Sequence, residues 1–371
     1  MQVEVASALD TKYQVYQVYQ VGHHYKSGPG FLLQISASRA IVLYLVSRDP
    51  RINQQQLNLR NMATMTADLA EAHDERSQIE QRNFWIFGQG ISFSMSPTIH
   101  CAGFQHYNLP HTYEIHQTET VEELRSLVKS PAFGGASITM PHKLAITMYC
   151  SEVSEDAKII GAVNTLIRDN TKEGRILGEN TDWTGLASLL NDNAQTLSKR
   201  RLDTGLVIGA GGASRAALYA LHKSRATKIY LFNRSRSRAE EIAQDLKPYF
   251  EITVVGQLTD IPANEAPDVI IGTIPADKTT VELFPPVLFS QPEGVCIDMA
   301  YKPRFTPLMA ATRKWGSQDW LTVPGVEVLL QQAFVQFEFW TGNPAPETAM
   351  RQALDAKDSA QVPAAKDGEK K

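Results

Sequence analysis

From Asn83 onward the chain alternates short, nearly unbroken apolar runs with stretches whose apolar residues recur at helical spacing. Phe84-Trp85-Ile86-Phe87-Gly88 reads as a buried strand, and Gln89 to Ser94 as a loop. Ser96-Pro97 then opens a helix, with Ser96 as N-cap and Pro97 at the first helical position. Thr112 to His116 predicts the next strand and Val121 to Val128 a helix. Gly134 to Thr139 predicts a further strand running into Met140-Pro141-His142-Lys143 and another helix. Leu206-Val207-Ile208 runs straight into Gly209-Ala210-Gly211-Gly212-Ala213, and Ala216, Ala217, Leu218 and Leu221 continue at helical spacing. Lys228 to Phe232 follows as a strand. This alternation predicts a layered α/β protein.

The first eighty residues carry a weaker pattern. Tyr13 to Val21 is a three-residue repeat of mixed β propensity, Phe31 to Val46 is apolar, and Asn53 to Glu80 is polar and partly helical in character. Glu4, Asp10 and the scarcity of early arginines argue against a transit peptide. Residues 1–82 are expected to be a poorly ordered extension.

Composition narrows the class. A length of 371 residues suits two ordinary domains, and 43% hydrophobic content supports sizeable cores. The net charge of −4 gives no sign of nucleic-acid binding. Three cysteines without pairing or ligand spacing predict a reducing, cytoplasmic setting and no structural metal. No apolar run reaches the roughly twenty residues of a membrane span.

The glycine cluster suggests chemistry. Gly209 lets the chain turn after a strand, and Gly211 removes a side chain that would block a pyrophosphate. Backbone N–H groups at the following helix start then hold phosphate oxygens. A third glycine of the strict dinucleotide fingerprint is replaced by Ser214, so the motif alone is weak. After the second strand stand Asn233-Arg234-Ser235-Arg236-Ser237-Arg238, where a cofactor with a free ribose 2′-hydroxyl usually meets an acid. Guanidinium groups grip a 2′-phosphate instead, so the pattern prefers NADP to NAD.

Three polar clusters lie at the ends of the first lobe's elements, where α/β proteins place ligands. Ser94 and Ser96 flank Met95, Lys143 closely follows Thr139, and Gly161 to Leu166 with Gly178 to Gly185 supplies amides, hydroxyls and a carboxylate. Singly these are caps, turns and a solvated lysine. Together they also read as a hydrogen-bonding shell for a polyhydroxylated ligand.

At this point the residues resemble the shikimate dehydrogenase family. Ser94-Met95-Ser96-Pro97 matches its Ser-x-Ser-Pro signature, and Ser137 to Lys143 looks like its Asn/Ser-Val-Thr-x-Pro-x-Lys signature. Gly161 to Thr165, Asn180 to Gly185, Gly209 to Ala216, Asn233 to Ser235, Asp298 to Pro303 and Gly325 to Gly342 follow in the expected order. Ile271 to Asp277 and Val323 to Leu330 are worded most like the dehydrogenase module of the fungal arom polypeptide. Phe93, Cys101 and Gln89-Gly90 depart from the family's usual residues. They are expected near the carboxylate end of the ligand, which leaves substrate identity more open than reaction type.

The resemblance implies two lobes with a cleft between them. Residues 83–200, completed by 324–343, would form an N-terminal α/β substrate-binding domain. Residues 201–323 would form a Rossmann-type, doubly wound NADP-binding domain, its remaining strands at Glu251 to Val255, Val269 to Gly272 and Val295 to Asp298. Residues 344–371, rich in Ala, Lys, Asp and Glu, are expected to be a flexible C-terminal tail or frayed helix. Lys143 and Asp182 would be catalytic; Ser94, Ser96, Thr139, Asn164, Tyr301 and Gln332 would bind substrate. Gly209, Ala210, Gly211, Gly212, Ala213, Asn233, Arg234, Ser235 and Arg238 would bind the cofactor. The implied reaction is NADP-dependent interconversion of 3-dehydroshikimate and shikimate by a monomer or homodimer. Quinate or a related cyclic polyol acid is the alternative substrate. A catalytically silent sensor of the same ligands is disfavoured, because the chain keeps both the lysine and the aspartate.

Overall fold

In the computed structural model the described residues are 80–172, 174–198 and 201–361, together with the backbone of four strands nearer the N-terminus. Those four, β1 (Val5–Ala6), β2 (Gln17–Gln20), β3 (Phe31–Ala37) and β4 (Ala40–Val46), form an antiparallel sheet in chain order. The chain divides after Ile79, and this N-terminal unit is one of two. The expected extension falls on this unit, and most of its residues, including the polar stretch before Glu80, lie outside the described residues.

The second unit carries two six-stranded sheets. The first contains β5 (Asn83–Gly88), β6 (Thr112–Gln117), β7 (Phe133–Ile138), β8 (Glu152–Val153), β9 (Thr165–Arg168) and β10 (Ile176–Glu179). Its order is β6-β5-β7-β9-β10-β8, parallel except where β9 runs against β7 and β10. The strand residues Phe84 to Gly88 and Phe133 to Ile138 are buried throughout, as a sheet covered on both faces requires. One face packs under α1 (Ser96–His106) and two later helices, α8 (Gly325–Thr341) and α9 (Glu347–Gln361). The other face packs on short helical turns that end in α2 (Arg125–Val128), and on α3 (Glu155–Ile160).

The second sheet is wholly parallel, in the order β13-β12-β11-β14-β15-β16. Its strands are β11 (Thr204–Ile208), β12 (Lys228–Phe232), β13 (Thr253–Val255), β14 (Val269–Gly272), β15 (Glu293–Asp298) and β16 (Asp319–Val323). This is the doubly wound 3-2-1-4-5-6 order, whose switch point falls beside β11. Helix α4 (Asp182–Ala194) leads across from the first sheet and packs on α5 (Gly212–Lys223), which follows the glycine cluster. Helices α6 (Arg236–Leu246) and α7 (Pro307–Trp315) complete the layers.

The C-terminal expectation needs correction. Residues 347–361 form α9, which seats Met350 and Leu354 in the core against α1. Two apolar residues four apart suffice to dock an otherwise polar helix, because they share one face. Residues 362–371 lie outside the described residues.

Candidate active site

A cavity of about 380 Å³ opens between the two sheets, at the carboxyl ends of their strands. Every residue expected to bind substrate or act in catalysis lines it: Ser94, Ser96, Thr139, Lys143, Asn164, Asp182, Tyr301 and Gln332. They arrive from the β5–α1 loop, the β7 end, the β9 start, the α4 start, the loop after β15, and α8.

Ser96 does not cap its helix. It is the first residue of α1, Met95 is the N-cap without a side-chain bond, and Pro97 is therefore the second helical residue rather than the first. Ser94 instead accepts the Ser96 N–H at 3.3 Å. Both serines are buried, so their hydroxyls are held at the cavity wall rather than in solvent.

Lys143 follows the cis Met140–Pro141 bond, and its ammonium donates to Asp182 Oδ2 in an ion pair whose side chains are 15% and 8% exposed. Asp182 is the first residue of α4, where the helix dipole favours a carboxylate. Its backbone N–H donates to Asn180 Oδ1 at 3.1 Å, and its Oδ1 accepts from Asn164 Nδ2 at 2.9 Å. In an ion pair this enclosed, attraction offsets desolvation only when the remaining polar atoms are also bonded, and these two bonds fix where the Asp182 carboxylate points.

The glycine loop meets the same cavity through Ala213. Gly209 has φ +125°, and a Cβ there would collide with Thr273 Oγ1. A Cβ on Gly211 would meet nothing within 4 Å, so the loop leaves open space there. Ser214 explains its own departure from the fingerprint: its hydroxyl accepts the Gly211 N–H at 3.0 Å and bonds Thr273 Oγ1 at 2.7 Å. The N–H groups of Gly212 and Ala213, in the first turn of α5, have no intrahelical acceptor and remain for an anion.

At the β12 end, Asn233 Nδ2 donates to the Ser235 carbonyl at 2.8 Å, and Ser235 is the N-cap of α6. Arg236 pairs with Glu240 one turn on. Arg234 and Arg238 are exposed and, among the described residues, form no ion pair. Residues 233–235 and 238 do not line the cavity.

Of the departures from the family pattern, Phe93 and Gln89-Gly90 line the cavity. Phe93 sits edge-on to Tyr301, with Lys302 Nζ 4.5 Å above its ring. Cys101 corrects the expectation, because it does not line the cavity but packs, partly buried, against the core that α1 covers, where burial pushes its thiol up. Ser137 and Gln336 also line the cavity and were not among the candidate residues. A polar residue one turn after Gln332 in an apolar helix was the available signal for Gln336. Tyr301, whose hydroxyl burial pushes to about 12, stands as a neutral donor.

Among the described residues, no group of three or more His, Cys, Asp or Glu is placed to hold a metal ion. Among the same residues, no helix is long and apolar enough to cross a membrane.

Three family profiles match the chain: a shikimate dehydrogenase substrate binding domain over residues 86–166, shikimate / quinate 5-dehydrogenase over 189–285, and a shikimate 5′-dehydrogenase C-terminal domain over 325–354. A pentafunctional AROM polypeptide of Malassezia globosa is 41% identical over 291 residues, 75% of this chain and 18% of that protein. The chain therefore spans less than a fifth of that relative. The crystal structure of a shikimate 5-dehydrogenase from Mycobacterium fortuitum is 31% identical with a TM-score of 0.63, covering 74% of this chain and 98% of the other. That of Thermus thermophilus shikimate 5-dehydrogenase, in complex with NADP(H) and shikimate, is 28% identical with a TM-score of 0.61 over 74% and 99%. A quinate dehydrogenase from Corynebacterium glutamicum, in complex with NAD, is 26% identical with a TM-score of 0.64 over 75% and 100%.

Proposed function

The chain belongs to the shikimate dehydrogenase family, and from that premise we propose that it interconverts 3-dehydroshikimate and shikimate with NADP. The observation that carries this reading is the Lys143–Asp182 pair in the wall of a cavity that the glycine loop also reaches. The loop residues suit a dinucleotide: Gly211 faces open space, and the first turn of α5 offers free N–H groups. Arg234 and Arg238, without acid partners among the described residues, suit a 2′-phosphate.

When bound, the reduced nicotinamide supplies the hydride. The remaining chemistry belongs to the side chains. Ser94, Ser96 and the neutral Tyr301 hydroxyl hold the substrate carboxylate, while Thr139, Asn164 and Gln332 orient the ring hydroxyls. Lys143 donates to the carbonyl oxygen, stabilises the charge that develops there and passes it a proton. Asp182 holds that ammonium and accepts a hydrogen bond from a neighbouring substrate hydroxyl. In the oxidative direction the same lysine, as the free amine, takes the proton back.

The test is an initial-rate assay crossing shikimate and quinate with NADP⁺ and NAD⁺. Turnover concentrated in shikimate with NADP⁺ supports the reading. Preference for quinate or NAD⁺ reassigns the substrate or the role of Arg234. Silence in all four, with shikimate still raising the melting temperature, indicates a sensor.

A further inference from the structure

A chain of buried hydrogen bonds runs from the edge strand β6 to Asp182, and one backbone group fixes its direction. The Thr181 N–H can only donate, and it meets Asn164 Oδ1 at 2.7 Å, so the Asn164 oxygen faces Thr181 and its nitrogen faces Asp182. Thr165 Oγ1 lies 2.7 Å from that same oxygen and must donate to it. The Thr165 oxygen then accepts from Gln336 Nε2 at 2.9 Å, an orientation also required by the Asn164 carbonyl 3.4 Å from that nitrogen. Gln336 Oε1 consequently accepts from Ser137 Oγ at 2.8 Å, and Ser137 accepts from the Tyr113 hydroxyl at 2.6 Å.

Every donor in this series points toward Asp182. Tyr113, Ser137, Asn164, Thr165, Asp182 and Gln336 are all buried, although Ser137, Asn164, Asp182 and Gln336 also border the cavity. The bonds come from three regions of the chain, with Ser137 and Gln336 199 residues apart. Chains of aligned hydrogen bonds polarise one another, by about 10–30% per bond.

We propose that Tyr113, Ser137, Gln336 and Thr165 are positioning residues that act through Asn164 to hold the Asp182 carboxylate aimed at Lys143. The partners facing Asp182 are Lys143 from the turn after β7, Asn164 before β9, Asn180 before α4, and Gln332 of α8 through Thr181. Of these only Lys143 is charged or titratable. The inference rests on the proposed function for its kinetic consequence, but the hydrogen-bond series itself does not depend on the substrate.

Thr165→Val, Thr165→Ser and Tyr113→Phe test it with two readouts: kcat per folded protein, and the Asn164 side-chain amide resonances by NMR in the ligand-free protein. Thr165→Val lowers kcat about tenfold with KM for the cofactor unchanged and moves the Asn164 resonances, Tyr113→Phe does both to a smaller extent, and Thr165→Ser restores them. A purely structural role lowers the melting temperature and the folded fraction without changing kcat per folded protein. Should Thr165→Val not fold, Tyr113→Phe decides. Unchanged kcat and unmoved Asn164 resonances in a folded variant overturn the inference. A wild-type chain inactive on all four substrate and cofactor pairs overturns the proposed function instead, and the NMR resonances still decide whether the series acts on Asn164.

Discussion

Cβ and Cδ of Lys143 each lie 3.5 Å from the position that a Cβ would take on Gly212. The stem of the candidate proton donor thus passes close beside the first turn of the glycine-loop helix, where a Cβ would just fit. Methionine keeps a similar unbranched stem while deleting the charge. Lys143→Met is expected to lower kcat by about 10³–10⁴. Asp182→Asn is expected to fall by a similar factor, and the double variant no further than the worse single one, because the two act as a unit. Multiplying losses in the double variant, by steady-state kinetics, would separate their roles.

Arg234 tests cofactor choice. It is exposed at the end of β12 beside Asn233, and no acid among the described residues engages it. Arg234→Ala is expected to raise KM for NADP⁺ about tenfold or more and to leave KM for NAD⁺ nearly unchanged. Equal effects on both cofactors would assign the arginine to something other than a 2′-phosphate.

His100 gives a prediction about pH and stability. It is fully buried on α1, stacked on Tyr113 with ring centroids 4.7 Å apart, and burial lowers its pKa from 6.5 to about 3. Between those values the unfolded chain binds the proton and the folded one does not. Stability from this residue is therefore present above pH 6.5 and is lost as pH falls toward 3. Denaturant unfolding of His100→Phe should show a flatter acid slope across that window than the parent protein. An identical slope would place the pH dependence elsewhere.

Helix α9 supplies a packing test. Leu354 is 1% exposed in the core shared with α1 and α8. Leu354→Ala should cost about 2–4 kcal/mol of unfolding free energy. Arg351, paired with Glu327 of α8 at 2.7 Å, is partly exposed, and its loss should cost far less. A Leu354→Ala protein with unchanged denaturation midpoint would show that this helix does not belong to the cooperative core.

What the sequence by itself determined was the succession of strands, turns and helices, and the residue types offered at the strand ends. Strands such as Val269–Gly272 and Lys228–Phe232 fall where their unbroken apolar runs place them, because burial on both sheet faces leaves a local signature. The glycine loop was legible for the same reason: its conformational demand at Gly209 is met within a few residues. Only the tertiary structure decided which hydroxyls cap and which face the cavity, as with Ser96, and which residues turn away from it, as with Cys101. It also joined Tyr113, Ser137 and Gln336 to Asn164, and it docked α9 through two side chains in a polar stretch. These outcomes depend on partners far apart in sequence, and hydrogen bonds and packing across such distances leave no period for a linear pattern to reveal.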